Sequence, residues 1–210
     1  FEFTDKIICL QEEVSKEPLM PKNFPFYYPD EHRNIIDTLE TKRAAAIISV
    51  TEKHPLCGLS PFPLFEDGNF LIPSVYIDKI TANKILNQSP KKIFLQINSI
   101  VKKTNSSQLI ISKKSSTKIK KKIVVCAHLD TKYNTPGAID NAAGVAVLLE
   151  IIEYFKEINL DYELQFIPFN GEEYYGASGE LKYLEFLNND LSNIELLINL
   201  DGIGYKKSNT

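Results

Sequence analysis

The sequence predicts an α/β protein with a mostly parallel central sheet flanked by helices, and two observations carry that prediction. An unbroken apolar run occupies residues 123–127 and mostly apolar runs occupy residues 164–169 and 194–200, as is typical of strands covered on both faces of a parallel sheet. Apolar residues at helical spacing lie between consecutive runs. Because strands that alternate with helices along a chain build parallel sheets, both observations lead to the same fold class.

The first strand–helix unit carries a dense polar motif. His128 and Asp130 follow the run at 123–127, and a spacing of two points both side chains to the same side of an extended chain. A Pro-Gly turn at 136–137 then leads to Asp140 and Asn141, either of which suits a helix N-cap. The buried stripe of the following helix is predicted to be Val145, Leu148, Leu149, Ile152 and Phe155.

The two later strands also end in acidic residues. Glu172 and Glu173 follow the run at 164–169, and Asp201 follows the run at 194–200. Ligands in open α/β sheets bind at the carboxyl ends of the strands. A helix between these two strands is predicted to bury Leu181, Leu184 and Leu187.

If the three strands are parallel, one imidazole and five carboxylates meet at one end of the sheet. These are His128, Asp130, Asp140, Glu172, Glu173 and Asp201. Like charges in a partly dry site repel one another strongly, and a divalent cation removes that repulsion. Each residue alone has an ordinary interpretation: a hydrogen-bonded structural histidine, a helix cap, a solvated loop or a turn. The combination favours a metal site.

The motifs and their order resemble those of a known enzyme family. The sequence contains H-x-D at 128–130, P-G-A-x-D-N-x-x-G at 136–144, the pair Glu172-Glu173, and N-x-D-G at 199–202. Between about residues 121 and 204 the chain resembles the co-catalytic zinc aminopeptidases, whose relatives include glutamate carboxypeptidase II. The resemblance implies a zinc exopeptidase core with a phosphorylase/hydrolase-like fold and a peptide substrate.

The resemblance also implies a role for each residue of the motif. His128 and Asp201 would bind one Zn²⁺, Asp140 would bridge two Zn²⁺ ions, and Glu173 would bind the second. Glu172 would be the general base, and Asp130 would orient His128 through its free ring nitrogen. The resemblance further implies a cis Asp140-Asn141 peptide bond. Carboxylates and imidazole without thiolate suit Zn²⁺, with Mn²⁺ or Co²⁺ as substitutes, and two bridged ions can bring the pKa of a shared water towards 7.

One ligand of the family's pattern lies outside this sequence. The family has a second histidine ligand further along, whereas the histidines here are His32, His54 and His128. Because the chain also starts at Phe1, we expect it to be an excerpt whose catalytic core is truncated at its C-terminus. Such a chain is expected to bind at most one Zn²⁺ tightly, to be inactive by itself and to expose one edge of its sheet.

The first part of the chain predicts a separate, smaller α/β domain at residues 1–90. Strands are predicted at 6–10, 44–50 and 70–77, and a helix from Pro29 with Ile35, Ile36 and Leu39 on one face. A Pro- and Gly-rich loop is predicted at 54–69. The order of these strands resembles an inserted protease-associated domain, which leaves residues 91–210 as the partial catalytic domain.

The start of the predicted catalytic domain contains two further strand-like segments. Ile93, Leu95 and Ile97 alternate as in a strand with one polar face. Residues 109–111 are predicted to pair with residues 123–125 across a turn. Six of the ten residues at 113–122 are lysine. These lysines are interpreted as solvated charges that protect an edge strand rather than as an anion-binding patch.

Composition limits the classes of partner. A formal net charge of -3 gives no electrostatic basis for binding nucleic acid, and no apolar run is long enough to span a membrane. Cys9, Cys57 and Cys126 are odd in number and widely spaced, which argues against a disulfide framework and slightly favours a cytoplasmic location. The family would also allow secretion, and the sequence does not set the oligomeric state.

Three functional hypotheses remain at this stage. The first is an aminopeptidase that hydrolyses N-terminal peptide bonds. The second is a carboxypeptidase or amidohydrolase of the same fold, because these enzymes share the motifs. The third is a non-catalytic, receptor-like relative, against which stands the presence of both acids and every ligand from His128 to Asp201.

Overall fold

The computed structural model describes residues 2–22, 24–53, 58, 60, 71–90, 92–100, 102–118 and 121–205. The chain forms two compact units, Phe1–Lys103 and Thr104–Thr210. The predicted domain boundary at residue 90 lies within the first of these units. Residues 92–100 contain no strand or helix, so the prediction of a strand around Ile93, Leu95 and Ile97 is wrong.

The first unit is a three-stranded parallel sheet with helices. Its strand order is β1-β2-β3, and both pairs are parallel. Its elements are β1 (Ile7–Leu10), a 3-10 turn (Glu12–Ser15), α1 (Asp30–Thr41), β2 (Ala46–Thr51), β3 (Ser74–Asp78) and α2 (Lys79–Asn87). The first two predicted strands and the helix from Pro29 are confirmed, whereas the third strand begins at Ser74. Helix α2 was not predicted.

The core of the first unit lies between β2 and α1. Ile47 of β2 is fully buried and packs in one cluster with Leu39, Ala44 and Ile72. Ile36 of α1 is also buried, and Ile35 packs against the same cluster. The apolar face predicted for α1 is therefore confirmed. Most of the predicted loop at 54–69, including His54 and Cys57, lies outside the described residues.

The second unit is a four-stranded sheet with a helix in each crossover. Its strand order is β4-β6-β5-β7, in which β5 pairs parallel with both β6 and β7 while β4 is antiparallel to β6. Its elements are β4 (Ile111–Lys113), β5 (Lys122–His128), a π-helical turn (Ala138–Ala142), α3 (Ala143–Phe155), β6 (Glu163–Phe169), α4 (Ser178–Phe186) and β7 (Ile194–Asn199). The predicted α/β fold with a mostly parallel sheet is confirmed.

The predicted pairing of residues 109–111 with residues 123–125 is wrong. Ile111 pairs with Phe166 of β6, because both edges of β5 already carry parallel partners. Strand β4 is thus an edge strand of the sheet, and the lysine-rich residues 113–122 begin at its end. Strand β7 forms the opposite edge, where Leu196, Leu197 and Ile198 are substantially exposed, as expected for an uncovered edge strand.

Two apolar clusters cover the two faces of this sheet. Leu148 of α3 packs with Val125, Ala127 and Phe166 on one face. Tyr183 of α4 packs with Val124, Cys126 and Ile167 on the other.

The structure corrects one position in each helix. Leu149 is 58% exposed, so its place in the buried stripe of α3 was wrong. In α4 the buried residue is Tyr183, whereas the predicted Leu181 is exposed. The rest of the predicted face of α3 is confirmed, since Val145, Ile152 and Phe155 pack against the cluster that contains Leu148. Leu149 points away from that cluster because adjacent positions on a helix lie on different sides. At the end of α4, Leu187 packs against the cluster that contains Tyr183, as predicted.

Two of the three cysteines lie in the described part of the chain. Cys9 and Cys126 are both free thiols. Burial raises the pKa of Cys126 to about 11, so that thiol stays protonated and unreactive at neutral pH.

No helix in the described part of the chain has the length and apolar character needed to cross a bilayer.

The corrected face of α3 can be tested with two neighbouring leucines. Leu148→Ala should lower the free energy of unfolding by about 2–5 kcal/mol because it empties a filled core position. Leu149→Ala, the matched control, should change it by no more than about 0.5 kcal/mol because its side chain is solvated. Urea denaturation of the two variants measures both values, and equal losses would place Leu149 in the core after all.

Candidate metal centre

Three parallel strand ends bring the predicted side chains together. His128 is the last residue of β5 and lies beside Phe169, the last residue of β6. Glu172 and Glu173 follow β6 within one turn, and Asp201 follows β7. His128 is only 4% exposed, so its ring sits at the base of the site while the acidic loops surround it.

Two groups of candidate ligand atoms share this histidine. In the first, His128 Nε2 lies 2.8 Å from Asp140 Oδ1 and 3.5 Å from Asp201 Oδ1. In the second, His128 lies with Glu172 and Glu173. Within each group the ligand atoms are all within 4.8 Å of one another. The structure thus brings His128 together with Asp140 and Asp201 in one group and with Glu172 and Glu173 in another. The metal-binding and catalytic roles of these residues stay a prediction.

Asp130 acts differently from the expected orienting carboxylate. His128 Nδ1 lies 3.0 Å from the backbone carbonyl oxygen of Asp130 and 3.8 Å from its carboxylate. The carboxylate instead accepts hydrogen bonds from the backbone N–H groups of Glu172 (3.2 Å) and Glu173 (3.0 Å). The backbone of Asp130 thus orients the histidine, and its side chain holds the glutamate loop.

The turn before α3 separates the roles of Asp140 and Asn141. The peptide bond between them is cis, as the family resemblance implied. Asn141 is buried, its Oδ1 accepts from the N–H of Gly144 at 3.1 Å, and its Nδ2 donates to the carbonyl of Leu200 at 2.8 Å. Asn141 therefore caps the helix and links it to the end of β7, so the carboxylate of Asp140 is free to face His128.

Burial and mutual repulsion make the site electrostatically strained. Glu172 is exposed, but partial desolvation of its carboxylate raises its pKa; His128 lowers that pKa, and Asp201, Asp130 and Asp140 raise it further. Burial also raises the pKa of Glu173, with Asp140 as the next cause. Removing these carboxylates from water while they face one another disfavours their charged forms.

The same carboxylates act in the opposite sense on the imidazole. Burial lowers the pKa of His128, but Glu172, Asp201 and Asp140 outweigh that effect and raise it above its ordinary value. A positive charge at this point is therefore favoured.

Comparison with known proteins identifies the second unit. Residues 109–210 match the profile of peptidase family M28. This part of the chain belongs to peptidase family M28. The chain is 31% identical over 167 residues to aminopeptidase YwaD of Bacillus subtilis (strain 168), a match that covers 79% of this chain and 35% of YwaD.

Solved structures of aminopeptidases share the fold. The aminopeptidase from Aneurinibacillus sp. strain AM-1 matches with a TM-score of 0.69 and 25% identity, over 98% of this chain and 48% of that chain. BSAP, a zinc aminopeptidase from Bacillus subtilis, matches with a TM-score of 0.63 and 26% identity, over 96% of this chain and 45% of BSAP. The chain thus spans about a third of YwaD and about half of these solved structures.

The donor set of the M28 unit fits a divalent metal ion. It combines one imidazole nitrogen with carboxylate oxygens and contains no thiolate, which is a combination that Zn²⁺ accepts. Asp140 and Asp201 are half-exposed while His128 is buried. The group of candidate ligands is therefore open to solvent on the side of the two aspartates.

Lys132 is a residue at the rim of the M28 site that the sequence analysis missed. Its ammonium group lies 4.6 Å from the ring centroid of Tyr175 and 5.4 Å from that of Tyr174, and its charge lowers the pKa of Glu173. The N–H of Tyr133 also donates to the hydroxyl of Tyr174 at 2.9 Å. Periodicity gave no signal for this contact because it joins loops about forty residues apart.

The close approach at Gly144 gives a test of the turn that presents Asp140. A Cβ at Gly144 would overlap Asn141 Oδ1 and the carbonyl oxygen of Leu200. Gly144→Ala should therefore lower the free energy of unfolding by about 1–3 kcal/mol, because the packed turn cannot give way. Thermal and urea unfolding measure this loss.

Gly176→Ala is the matched control for that variant. A Cβ at Gly176 meets nothing within 4 Å, so Gly176→Ala should change the free energy of unfolding by no more than about 0.5 kcal/mol. A stabilised Gly144→Ala protein, as expected for a simple gain in helix propensity, would contradict the packing of Asn141 against Leu200.

Proposed function

We propose that this protein is a zinc-dependent exopeptidase that acts as an aminopeptidase on N-terminal peptide bonds. The observation that carries the proposal is the convergence of the buried His128 with Asp140 and Asp201 on one side and with Glu172 and Glu173 on the other. Membership of family M28 and the similarity to enzymes named as zinc aminopeptidases support it.

The ligand assignment is the one that the resemblance to the zinc aminopeptidases implies, and the short distances from His128 to Asp140 and Asp201 support its first half. His128, Asp140 and Asp201 would hold one Zn²⁺, and Asp140 and Glu173 would contribute to a second. Zinc bound there supplies Lewis acidity, which acidifies water and polarises a peptide carbonyl. Asn141 holds the turn that aims Asp140, and the carbonyl of Asp130 fixes the ring of His128.

Different exposure separates the roles of the two adjacent glutamates. Glu173 is 9% exposed and lies deeper, which suits a metal ligand, whereas Glu172 is exposed and accessible to substrate. The raised pKa of Glu172 makes it a stronger base than an ordinary carboxylate. Glu172 is proposed to accept a proton from water and to pass it to the leaving amine, while Asp130 holds its backbone in place.

A carboxypeptidase or amidohydrolase remains the second candidate, because the proposed metal centre accounts for hydrolysis and does not select one end of a peptide. The relatives named as aminopeptidases favour the N-terminal specificity. The complete pair of acids Asp130 and Glu172 argues against a non-catalytic relative.

The protease-associated-like assignment of residues 1–90 also belongs to this proposal. A small sheet with the parallel order β1-β2-β3 and two helices supports it.

The substrate class and the role of Glu172 can be tested together. The complete zinc-loaded protein should release the N-terminal residue of a peptide with a free amino group and leave the N-acetylated peptide intact. Glu172→Gln should lower kcat by about 10²–10⁴-fold, because it removes the proton acceptor, while zinc content measured by atomic absorption stays the same.

Glu150→Gln is the control for that experiment, since Glu150 is an exposed acid on α3, and it should keep wild-type rates. Hydrolysis of the N-acetylated peptide from its C-terminus would establish the carboxypeptidase instead. Full activity of Glu172→Gln would remove Glu172 from the mechanism.

The ligand count of the 210-residue chain gives a second test. His128, Asp140 and Asp201 form one set of three protein ligands, whereas Asp140 and Glu173 alone hold zinc poorly. Titration with a chromophoric chelator as competitor should therefore find at most one tight Zn²⁺ per chain, and Asp201→Asn should weaken it by at least about tenfold. Asp190→Asn, a change to an exposed acid outside the four motifs, serves as the control. Two tight equivalents would show that the ligand assignment is wrong.

A further inference from the structure

Within the described ranges, the ladder between β4 and β6 stops before the end of β6. Strand β4 pairs with β6 only from Leu164 to Phe166, although β6 continues to Phe169. On its other side β6 stays paired with β5 as far as Phe169. Pro168 has no N–H group, so this part of the edge cannot complete an ordinary antiparallel ladder.

The side chain of Gln108 occupies the place of that missing partner. Its Nε2 donates to the carbonyl of Pro168 at 2.8 Å and to that of Leu109 at 2.9 Å. Its Oε1 accepts from the N–H of Asn170 at 3.1 Å. One primary amide thus satisfies a carbonyl and an N–H two residues apart on the same edge of a strand, as a paired backbone would.

Asn170 is held at further points around this amide. Its Nδ2 donates to the carbonyl of Ser107 at 2.7 Å, and its carbonyl accepts from the N–H of Gly179 at 2.8 Å and from Ser178 Oγ at 3.3 Å. A Cβ at Gly179 would overlap both Gln108 Oε1 and the backbone of Asn170. The segment before β4, the end of β6 and the start of α4 therefore meet in one close contact, here called the Gln108 clamp (Gln108, Asn170 and Gly179).

The clamp lies two residues before the glutamate pair of the metal centre. Beyond Asn170 the chain turns at Gly171, which has a φ of 83°, and reaches Glu172 and Glu173. Asp130 accepts the N–H groups of both glutamates. The loop thus has two anchors, the Gln108 clamp at its base and Asp130 at its tip. Without Gln108 the base would keep only the contacts of Asn170 with Ser107, Ser178 and Gly179. Asp130 would then carry a larger part of the positioning of both glutamates.

We propose that Gln108 is a positioning residue for Glu172 and Glu173. It touches neither glutamate side chain and acts through the backbone of Asn170. This inference rests on the proposed function only for its effect on catalysis, because the geometry of the loop can be measured without turnover. Outer hydrogen-bond partners that orient metal ligands typically contribute about 10–100-fold to metal affinity or activity.

Two variants of Gln108 test the proposal in the complete protein. Gln108→Leu removes all three hydrogen bonds, and Gln108→Glu keeps the acceptor for Asn170 but loses both donors. Amide exchange in the peptide 170–176 should be faster in Gln108→Leu while exchange in β5 is unchanged. The absorption spectrum of the Co²⁺-substituted protein should shift, and kcat should fall by about 10–100-fold with KM changed less than about threefold. In amide exchange, in the Co²⁺ spectrum and in kcat, Gln108→Glu should give values between those of Gln108→Leu and the wild type.

Asn105→Ala is the control, because Asn105 is exposed in the same segment, and it should match the wild type in all three measurements. Unchanged exchange in peptide 170–176 and an unchanged Co²⁺ spectrum in Gln108→Leu would overturn the proposal. If Gln108→Leu also speeds amide exchange in β5, Gln108→Glu is the deciding variant. Faster exchange throughout the sheet in Gln108→Glu would show that Gln108 contributes to general stability and does not position the glutamates, which would overturn the proposal. Absence of peptidase activity in the wild type would reject the proposed function. The positioning role of Gln108 would then be tested by the amide-exchange and Co²⁺ measurements, which do not depend on activity.

Discussion

The parallel pairing of β5 with both β6 and β7 is the constraint on which the rest of the second unit depends. It places His128 beside the end of β6 and close to the end of β7, so three loops from distant parts of the chain meet around one imidazole. It also leaves β5 without a free edge, which forces β4 to pair with the outer side of β6. The position of the metal centre and the edges of the sheet follow from the same hydrogen bonds.

Neighbouring residues divide structural and chemical tasks at this centre. Asn141 caps α3 and links it to Leu200, so Asp140 can turn its carboxylate to His128. Glu173 is buried while Glu172 stays accessible, although both are held through their backbone by Asp130. This separation of roles needs a fixed backbone. A carboxylate that already caps a helix or forms a local hydrogen bond is not available to face a metal ion.

The electrostatics of the site favour the binding of a cation. Burial and neighbouring carboxylates raise the pKa of Glu172 and Glu173, and the same carboxylates raise the pKa of His128. The arrangement therefore favours added positive charge from any source, a proton or a metal ion. Since a dication lies closer to several carboxylates at once than a proton can, it relieves the repulsion more completely.

The sequence by itself determined the α/β class, most of the strands and helices and the side chains that form the centre. Apolar runs and helical spacing depend on residues adjacent in the chain, and the order of the motifs placed His128, Asp140 and Glu173 after those strands. Only the tertiary structure decided the partner of β4, the solvent exposure of Leu149, the acceptor role of Asp130 and the contacts of Lys132 and Gln108. Each of these depends on groups brought together from distant positions, and local pattern carries no information about which distant segment a given edge or side chain will meet.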